Sequence, residues 1–371
     1  MTPLIARLRN RLGQLRWNSL AIIAGSLLVV LLSDGFVAHV LWTNYDEAVH
    51  NAESENSDLA HVLEKYLLTE VQGVDLLITS TVRALEANPS LREHPPRRLL
   101  ELLQARVAAF PNVGNLSVID VEGNVVTNSR GNGAFGQAIN IGDRPYFQMV
   151  RDHPEIGLYI DVPRRARIAG DTVIALARAI HKPDGSFDGI VFAALTVESL
   201  KELLNVVNVG NNGLVTLYRD DGTVMARVPI GDDTIGRTNP NQPLFTTYLP
   251  RASSGSFDGI GITDGEIRHV SYRKVEGLPL VLTVARANSD FLQGWRRQAW
   301  THGAVAAFLN LLVLGLGVFL ARETSRREAS EANLIEQERL IRLVADNVPM
   351  LIAYVDRNRT YRFVNRVAAR W

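Results

Sequence analysis

Two stretches interrupt an otherwise mixed pattern by being apolar for unusually long. The first spans 17–42, and its centre runs from Leu20 to Leu32 without a charge before Asp34 and His39 appear. The second spans 299–321, with 309–320 almost purely apolar. Each reaches about 20 residues, the length a helix needs to cross the hydrocarbon of a bilayer. Arg7, Arg9, Arg11 and Arg16 precede the first stretch, and Arg322, Arg326 and Arg327 follow the second. Basic residues favour the cytoplasmic side, so both termini are expected there. Arg296 and Arg297 lie across the second stretch, where a long translocated loop tolerates them. A cleaved signal peptide is the alternative for the first stretch. Its length, and the lack of a clean small-x-small site after it, favour an uncleaved anchor. Asp34 is read as lying near the outer headgroups or against a partner helix, with an intramembrane functional acid as the alternative.

The chain between these stretches begins with helical periodicity. Leu59, Leu63, Tyr66, Val74, Leu77, Ile78, Thr81 and Leu85 recur at helical spacing over 44–88, and Pro89, Pro95 and Pro96 end the pattern. Beyond it the period shortens. Alternation is clear in Thr172–Ile180 and Phe187–Val197, as expected of strands with one face buried. A repeat is also visible. Ser117-Val-Ile-Asp-Val-Glu-Gly123-Asn-Val-Val-Thr parallels Thr216-Leu-Tyr-Arg-Asp-Asp-Gly222-Thr-Val-Met-Ala, each reading as strand, turn, strand. Asp184-Gly185, Asp258-Gly259 and Asp264-Gly265 supply further hairpin signals. Two modules are predicted, each an antiparallel sheet flanked by helices.

Composition narrows the possibilities. The 371 residues carry a net charge of zero, which gives no sign of a nucleic-acid partner, and the length implies more than one core. With no cysteine, disulfides, thiolate metal sites and cysteine nucleophiles are excluded. The eight histidines show no ligand spacing, His50 and His61 being too far apart to chelate one ion. Gly131-Asn-Gly133-Ala-Phe-Gly136 fits GxGxxG but opens no helix, so it is read as a loop and not a dinucleotide site. Asn115-Leu-Ser117 is a formal glycosylation acceptor, which has no meaning if the host is bacterial. No nucleophile or acid/base constellation supports an extracytoplasmic enzyme, and no cofactor is expected.

Gly142-Asp-Arg144-Pro-Tyr146-Phe147, Gly157-Leu-Tyr159-Ile160, Ile174-Ala-Leu-Ala-Arg178 and Asp184-Gly-Ser-Phe-Asp-Gly189-Ile-Val resemble the double Cache, or PDC, sensor family. Asp221-Gly222-Thr-Val-Met-Ala-Arg227 and Val270-Ser-Tyr272-Arg273 resemble its membrane-proximal module. The resemblance covers about 44–295 and is nearest to the variant attached to diguanylate cyclases. It implies an α+β, membrane-anchored chain with two tandem PAS-like modules on a long N-terminal helix, flanked by two transmembrane helices. The expected order is a cytoplasmic tail 1–16, a span 17–42 and an extracytoplasmic sensor 43–296, its distal module at about 89–205 and proximal module at about 206–290. A second span 299–321, a signalling helix 322–347 and a segment 348–371 follow.

The resemblance also implies ligand binding in the distal module, with Arg144, Tyr146, Phe147, Tyr159 and Arg178 as candidates. A guanidinium grips a carboxylate with two parallel hydrogen bonds, and aromatic faces can wall the pocket. In amino-acid-binding relatives an Arg-x-Trp-Tyr motif holds the ligand carboxylate. Arg144-Pro-Tyr146-Phe147 keeps the arginine, with Tyr for Trp and Phe for Tyr. Those relatives hold the ligand amine with an aspartate on a later strand, where this chain has Ala194. A dicarboxylate, another small organic acid, or no small ligand therefore fits better than an amino acid. The competing reading is structural: Arg144 and Arg178 would satisfy buried carbonyls or pair with Asp143, Asp161 or Asp171.

After Arg322 the chain becomes charged and helical. Leu334, Ile341 and Val348 repeat every seven residues, with Val344 and Leu351 on a neighbouring stripe. This predicts a short coiled-coil seam and a homodimer, diluted by Ser330 and Gln337; a solvated single helix is the alternative. Asn347-Val-Pro349 through Asn365 resembles the first hairpin of a PAS domain, so the chain is expected to be a fragment or a truncated product. The function expected is a transmembrane receptor in a bacterial inner membrane, with the central domain periplasmic. It senses a small ligand and drives a diguanylate cyclase beyond residue 371. A histidine kinase input, a chemoreceptor, or a protein-binding ectodomain without a small ligand are the alternatives.

Overall fold

A computed structural model describes residues 3–92, 97–131, 139–167, 170–229, 232–261, 264–350 and 352–366. Pro95, Pro96 and most of the Gly131–Gly136 loop lie outside them. Two compact units form, Tyr45–Gly294 and the flanking segments up to Asn44 and from Trp295.

Helix α1 (Pro3–Ala87) is continuous through the first apolar stretch and the periodic segment. It ends before Pro89, which opens a 3-10 turn. Its inward stripe includes Leu63, Leu67, Val74, Ile78 and Leu85, all buried. Tyr66, expected on that stripe, is half exposed; Leu67 takes its place.

The first module follows: α2 (Arg97–Val107), β1 (Val113–Ile119), β2 (Val125–Asn128), α3 (Pro145–Asp152), β3 (Tyr159–Ile160), β4 (Arg164–Arg165), β5 (Thr172–His181) and β6 (Phe187–Thr196). Its antiparallel sheet runs β2-β1-β6-β5-β3, with β4 also pairing with β5. The second module has α4 (Val197–Leu204), β7 (Leu214–Arg219), β8 (Val224–Val228), a π-helical turn Leu244–Tyr248, β9 (Ser254–Ile260), β10 (Ile267–Lys274) and β11 (Leu280–Ala287). Its sheet runs β8-β7-β11-β10-β9, the same arrangement. The short α5 (Asn288–Phe291) then leads to α6 (Gln293–Asn347), and β12 (Ala353–Val355) pairs with β13 (Tyr361–Val364).

One face of each sheet joins a single core with α1, α2 and α4. Leu116, Val118, Ile174, Leu176 and Val191 represent the first module there, Val215, Leu217, Leu282 and Val284 the second. Thr196 caps α4, its hydroxyl accepting from the Ser199 amide at 3.1 Å. The other sheet faces build separate clusters.

The repeated turns explain how each module closes over its outer face. Gly123 and Gly222 both have φ of +87°, a region that a β-carbon disfavours. A β-carbon on Gly123 would come within 2.6 Å of the Gly142 backbone, and one on Gly222 within 2.7 Å of the Asn239 carbonyl. In each module the chain returns over this turn, bridging Asn124 to Asn140 and Thr223 to Thr238.

One expected hairpin is absent. Asp258-Gly259 lies inside β9, where Gly259 pairs with Arg268. Its φ is not positive, so the glycine simply leaves room for the Phe257 ring, 3.3 Å from where a β-carbon would stand. The β9–β10 connection instead includes Asp264-Gly265, with Gly265 at φ +70°.

In the flanking unit, α1 and α6 each carry a segment long and apolar enough to cross a membrane. They meet through small residues. A β-carbon on Gly317 would come within 2.2 Å of the Ser26 hydroxyl oxygen, and Ala306 and Ala321 are also buried. Asn310 donates to the Asp34 carboxylate at 2.7 Å, so Asp34 is satisfied by the other apolar helix.

Candidate functional site

A pocket opens on the outer face of the first sheet. Its floor is Asn115, Val173, Ala175, Phe192 and Ala194. Register places three of these in one row, Asn115 opposite Ala194 and Ala194 opposite Ala175. Two alanines side by side leave a depression that larger side chains would fill. The enclosed space above this floor is about 50 Å³.

The wall is made by the segment that returns over Gly123. The Asn140 side chain donates to the Glu122 carbonyl at 3.0 Å and to Asn124 at 2.9 Å, and accepts from the Gly142 amide at 2.8 Å. This anchors the approach to α3. Arg144 caps α3 with an extended backbone, and Pro145 starts the helix where no N–H is needed. Arg144 and Tyr146 line the pocket, with the Tyr146 ring tilted against Phe192 at 5.2 Å. Burial pushes the Tyr146 hydroxyl pKa far above its ordinary value, so it stays protonated.

The lining is strongly basic. Arg130, Arg144, Arg164, Arg165 and Arg167 all line the pocket, against one carboxylate, Asp161. Most of these cations are committed. Arg164 binds the buried Asp161 at 3.0 Å, and Arg167 grips Asp143 with bonds of 2.9 and 2.8 Å. That grip holds the Asp143 carboxyl below its usual range. Arg130 donates to the Gly114 carbonyl at 2.7 Å and lies 3.9 Å from Asp171; Arg165 donates to the Gly170 carbonyl at 3.2 Å. The three aspartates proposed as partners of Arg144 and Arg178 are thus each held by another arginine. Arg144 donates once, to the Arg165 carbonyl at 3.3 Å, and has no ion pair among the described residues. Its remaining donors are available to a ligand carboxylate.

Of the five expected residues, the pocket brings together Arg144 and Tyr146. Phe147 is fully buried behind α3, edge-on to Phe187 at 6.0 Å. Tyr159 is buried under the guanidinium of Arg219, 5.5 Å from the ring centre, at a junction between the modules. Arg178 does not face the pocket, because strand alternation sends it with Ile174, Leu176 and Ile180 to the α1 side. There it forms a two-pronged pair with Asp75, at 2.5 and 2.9 Å. Phe147, Tyr159 and Arg178 therefore do not line this cavity. Sequence reading had not assigned Asp161, Arg164, Arg165, Arg167, Arg130 or Phe192 to it. The dense run Arg164-Arg165-Ala166-Arg167 was the available signal.

Two sheets of one strand order thus share one helix, and the first bears a basic pocket. Residues 197–285 match the family described as dCache_1_like, a histidine kinase sensor domain. The extracellular domain of rpHK1S-Z16, named for a histidine kinase, is 28% identical, covering 64% of this chain and 94% of its own, with a TM-score of 0.58. The fold is shared with the ligand-binding domain of the Pseudomonas fluorescens chemoreceptor CtaA in complex with L-isoleucine, at 17% identity, 70% and 99% coverage and TM-score 0.52. It is shared too with the ligand-binding domain of Mlp24 with asparagine, at 15% identity, 67% and 96% coverage and TM-score 0.50. No curated protein sequence matches. The sensor-family match thus lies in the second module, and the fold of the whole two-module region is that of these extracellular ligand-binding domains.

Proposed function

We propose that the chain is a two-pass receptor of a bacterial inner membrane that binds a small organic carboxylate in its first module. The observation that carries this reading is Arg144. It is a guanidinium without an ionic partner among the described residues, in a small pocket where arginines outnumber carboxylates five to one. A bidentate contact to a carboxylate is the interaction such a fork makes best. The basic flanks support a periplasmic sensor with both termini cytoplasmic. Ligand closure would then bias α1 and α6, each continuous with one apolar segment, between two states that differ in affinity.

Leu334, Ile341 and Val344 are exposed on α6, which supports a partner helix and a homodimer there. Val348 falls just past the helix end. The Asn365 side chain ties the β12–β13 hairpin to the end of α6, donating to the Ala345 and Met350 carbonyls at 2.8 Å each. This supports the PAS reading of the segment. For the output, the sequence resemblance favours a diguanylate cyclase, whereas the family description and the relative at 28% identity favour a histidine kinase.

A second ligand reading rests on Asp161. It places a buried carboxylate in the pocket although Ala194 stands where relatives have theirs, so an amino acid could be held by Arg144 and Asp161 together. Thermal melts of the chain in nanodiscs with succinate, acetate and L-alanine decide between the two. Stabilisation by an acid without an amine supports the first reading. Stabilisation by L-alanine alone, lost in Asp161→Asn, supports the second. A folded protein that no carboxylate stabilises overturns both.

A further inference from the structure

The second module has a cavity of its own, about 750 Å³, and it lies on the equivalent sheet face. The correspondence follows from register. Aligning the two turn glycines sets Thr216 against Ser117 and Leu214 against Asn115. In the first module Ala194 pairs with Asn115 and Ala175; in the second Ala285 pairs with Leu214 and Val270. Both rows floor their cavities. The covering segments match as well. Four to six residues past the bridging Asn140 lie Arg144-Pro145-Tyr146, and at the same distance past Thr238 lie Gln242-Pro243-Leu244.

The chemistry is not duplicated. Gln242 stands where Arg144 stands, so the anchor of the first pocket is missing. A different cation replaces it. Arg227 projects from β8, opposite Thr216, at the position that Asn128 occupies in the first module. Arg227 lines the cavity, its Nε is buried without a hydrogen-bond partner, and it forms no ion pair among the described residues. The other charged lining groups are engaged. Arg268 is held by Asp264, Asp258 accepts from His269 at 2.9 Å, and Arg237 lies 3.8 Å from Asp233. A buried guanidinium donor left unpaired is costly, and a ligand carboxylate would relieve that cost. The walls add ring surface: Tyr218, Tyr248 and Phe257 all line the cavity, with Tyr248 and Phe257 stacked at 4.3 Å. Flat apolar walls beside one cation suit a carboxylate with an aromatic body.

We propose that this cavity is a second ligand site, in which Arg227 anchors the carboxylate of an aromatic acid against Tyr218, Tyr248 and Phe257. It goes beyond the sensing proposed for the first module and gives the receptor a separate input.

Benzoate is the probe, with neutral benzamide as its isostere, titrated calorimetrically into the full chain in nanodiscs. Benzoate should bind, and benzamide at least about tenfold more weakly, because a charge-assisted contact is lost. Arg227→Gln should weaken benzoate by a similar factor. Ala285→Leu, which fills the floor, should do the same without touching the arginine, and it decides the matter if Arg227→Gln fails to fold. Arg144→Ala, which removes the anchor of the first pocket only, should leave benzoate affinity where it is. Absence of benzoate binding at millimolar concentration overturns the proposal. So does binding that survives Arg227→Gln or Ala285→Leu in a folded protein, or that disappears in Arg144→Ala.

Discussion

Arg144 and Arg178 show how one residue type takes opposite roles from its position on a sheet. Arg144 sits at a helix cap facing a cavity; Arg178 sits on the buried side of a strand, clamped to Asp75. Arg144→Ala should therefore leave the domain folded and remove ligand stabilisation, costing about 2–5 kcal/mol of binding. Arg144→Lys should also bind poorly, since an ammonium lacks the planar fork. Arg178→Ala should do the reverse. Both partners are 29% exposed, so the loss is discounted to about 1–2 kcal/mol of stability, with binding retained. Melting curves with and without ligand separate the two outcomes, and ligand loss in Arg178→Ala alone would invert the assignment. The orientation of Arg178 was legible from the alternation of Ile174, Leu176 and Ile180 with three alanines. Its partner was not, because Asp75 lies 103 residues away and no local spacing announces it. A pH dependence belongs to this scale too. The bond from Arg268 holds the Asp264 carboxyl down to about 2. An unfolded aspartate titrates near 3.9, so this contribution is complete above about pH 4 and fades as pH falls through about 2. The stability gap between wild type and Asp264→Asn should narrow over that window; a gap that stays constant would show that the pair does not stabilise the fold.

Among the elements, α1 organises both modules. Lower on the helix, Glu55 pairs with Arg286, and Glu64 lies 3.5 Å from Arg273, both arginines in the second module. Further along, Asp75 pairs with Arg178, and Glu86 accepts from His181 at 3.3 Å in the first. Between these polar ties the apolar stripe runs into one core shared by both sheets. Ile78 is fully buried in it. Ile78→Ala should cost about 2–5 kcal/mol, the transfer term plus an unfilled cavity. Because the core is continuous, the expected result in denaturant is one transition moved to lower midpoint. Two separated transitions would mean that the modules fold independently of α1. The periodicity of Leu63, Val74, Ile78 and Leu85 made this helix legible in advance, and the paired turn glycines did the same for the duplication. Asp258-Gly259 misled because the same dipeptide serves turns and strands. Its cross-strand pairing with Arg268 and His269, which no short window contains, keeps it extended.

At the scale of the whole molecule, the reading depends on which side of a membrane each segment occupies. Two apolar segments of sufficient length are present, and they are joined by contacts that a hydrocarbon environment favours. Ser26 and Gly317 allow close approach of the helix backbones, and the Asp34–Asn310 bond satisfies two polar groups that lipid could not. Such pairing fits two helices crossing together but says nothing of direction; the arginines flanking the spans supply that. The chain has no cysteine, so a single introduced thiol reports its own location without background. Val206 lies in the sensor domain and is 76% exposed, and Arg327 lies beyond the second apolar segment with its side chain 76% exposed. In intact cells whose outer membrane has been made permeable, a membrane-impermeant maleimide should label Val206→Cys. It should label Arg327→Cys only after the inner membrane is broken. Both substitutions are at exposed positions, so failure to react reflects access and not burial. The opposite labelling pattern would place the sensor in the cytoplasm. Labelling of both thiols in intact cells would mean that the second segment does not cross, and in either case α6 could not carry a signal inward.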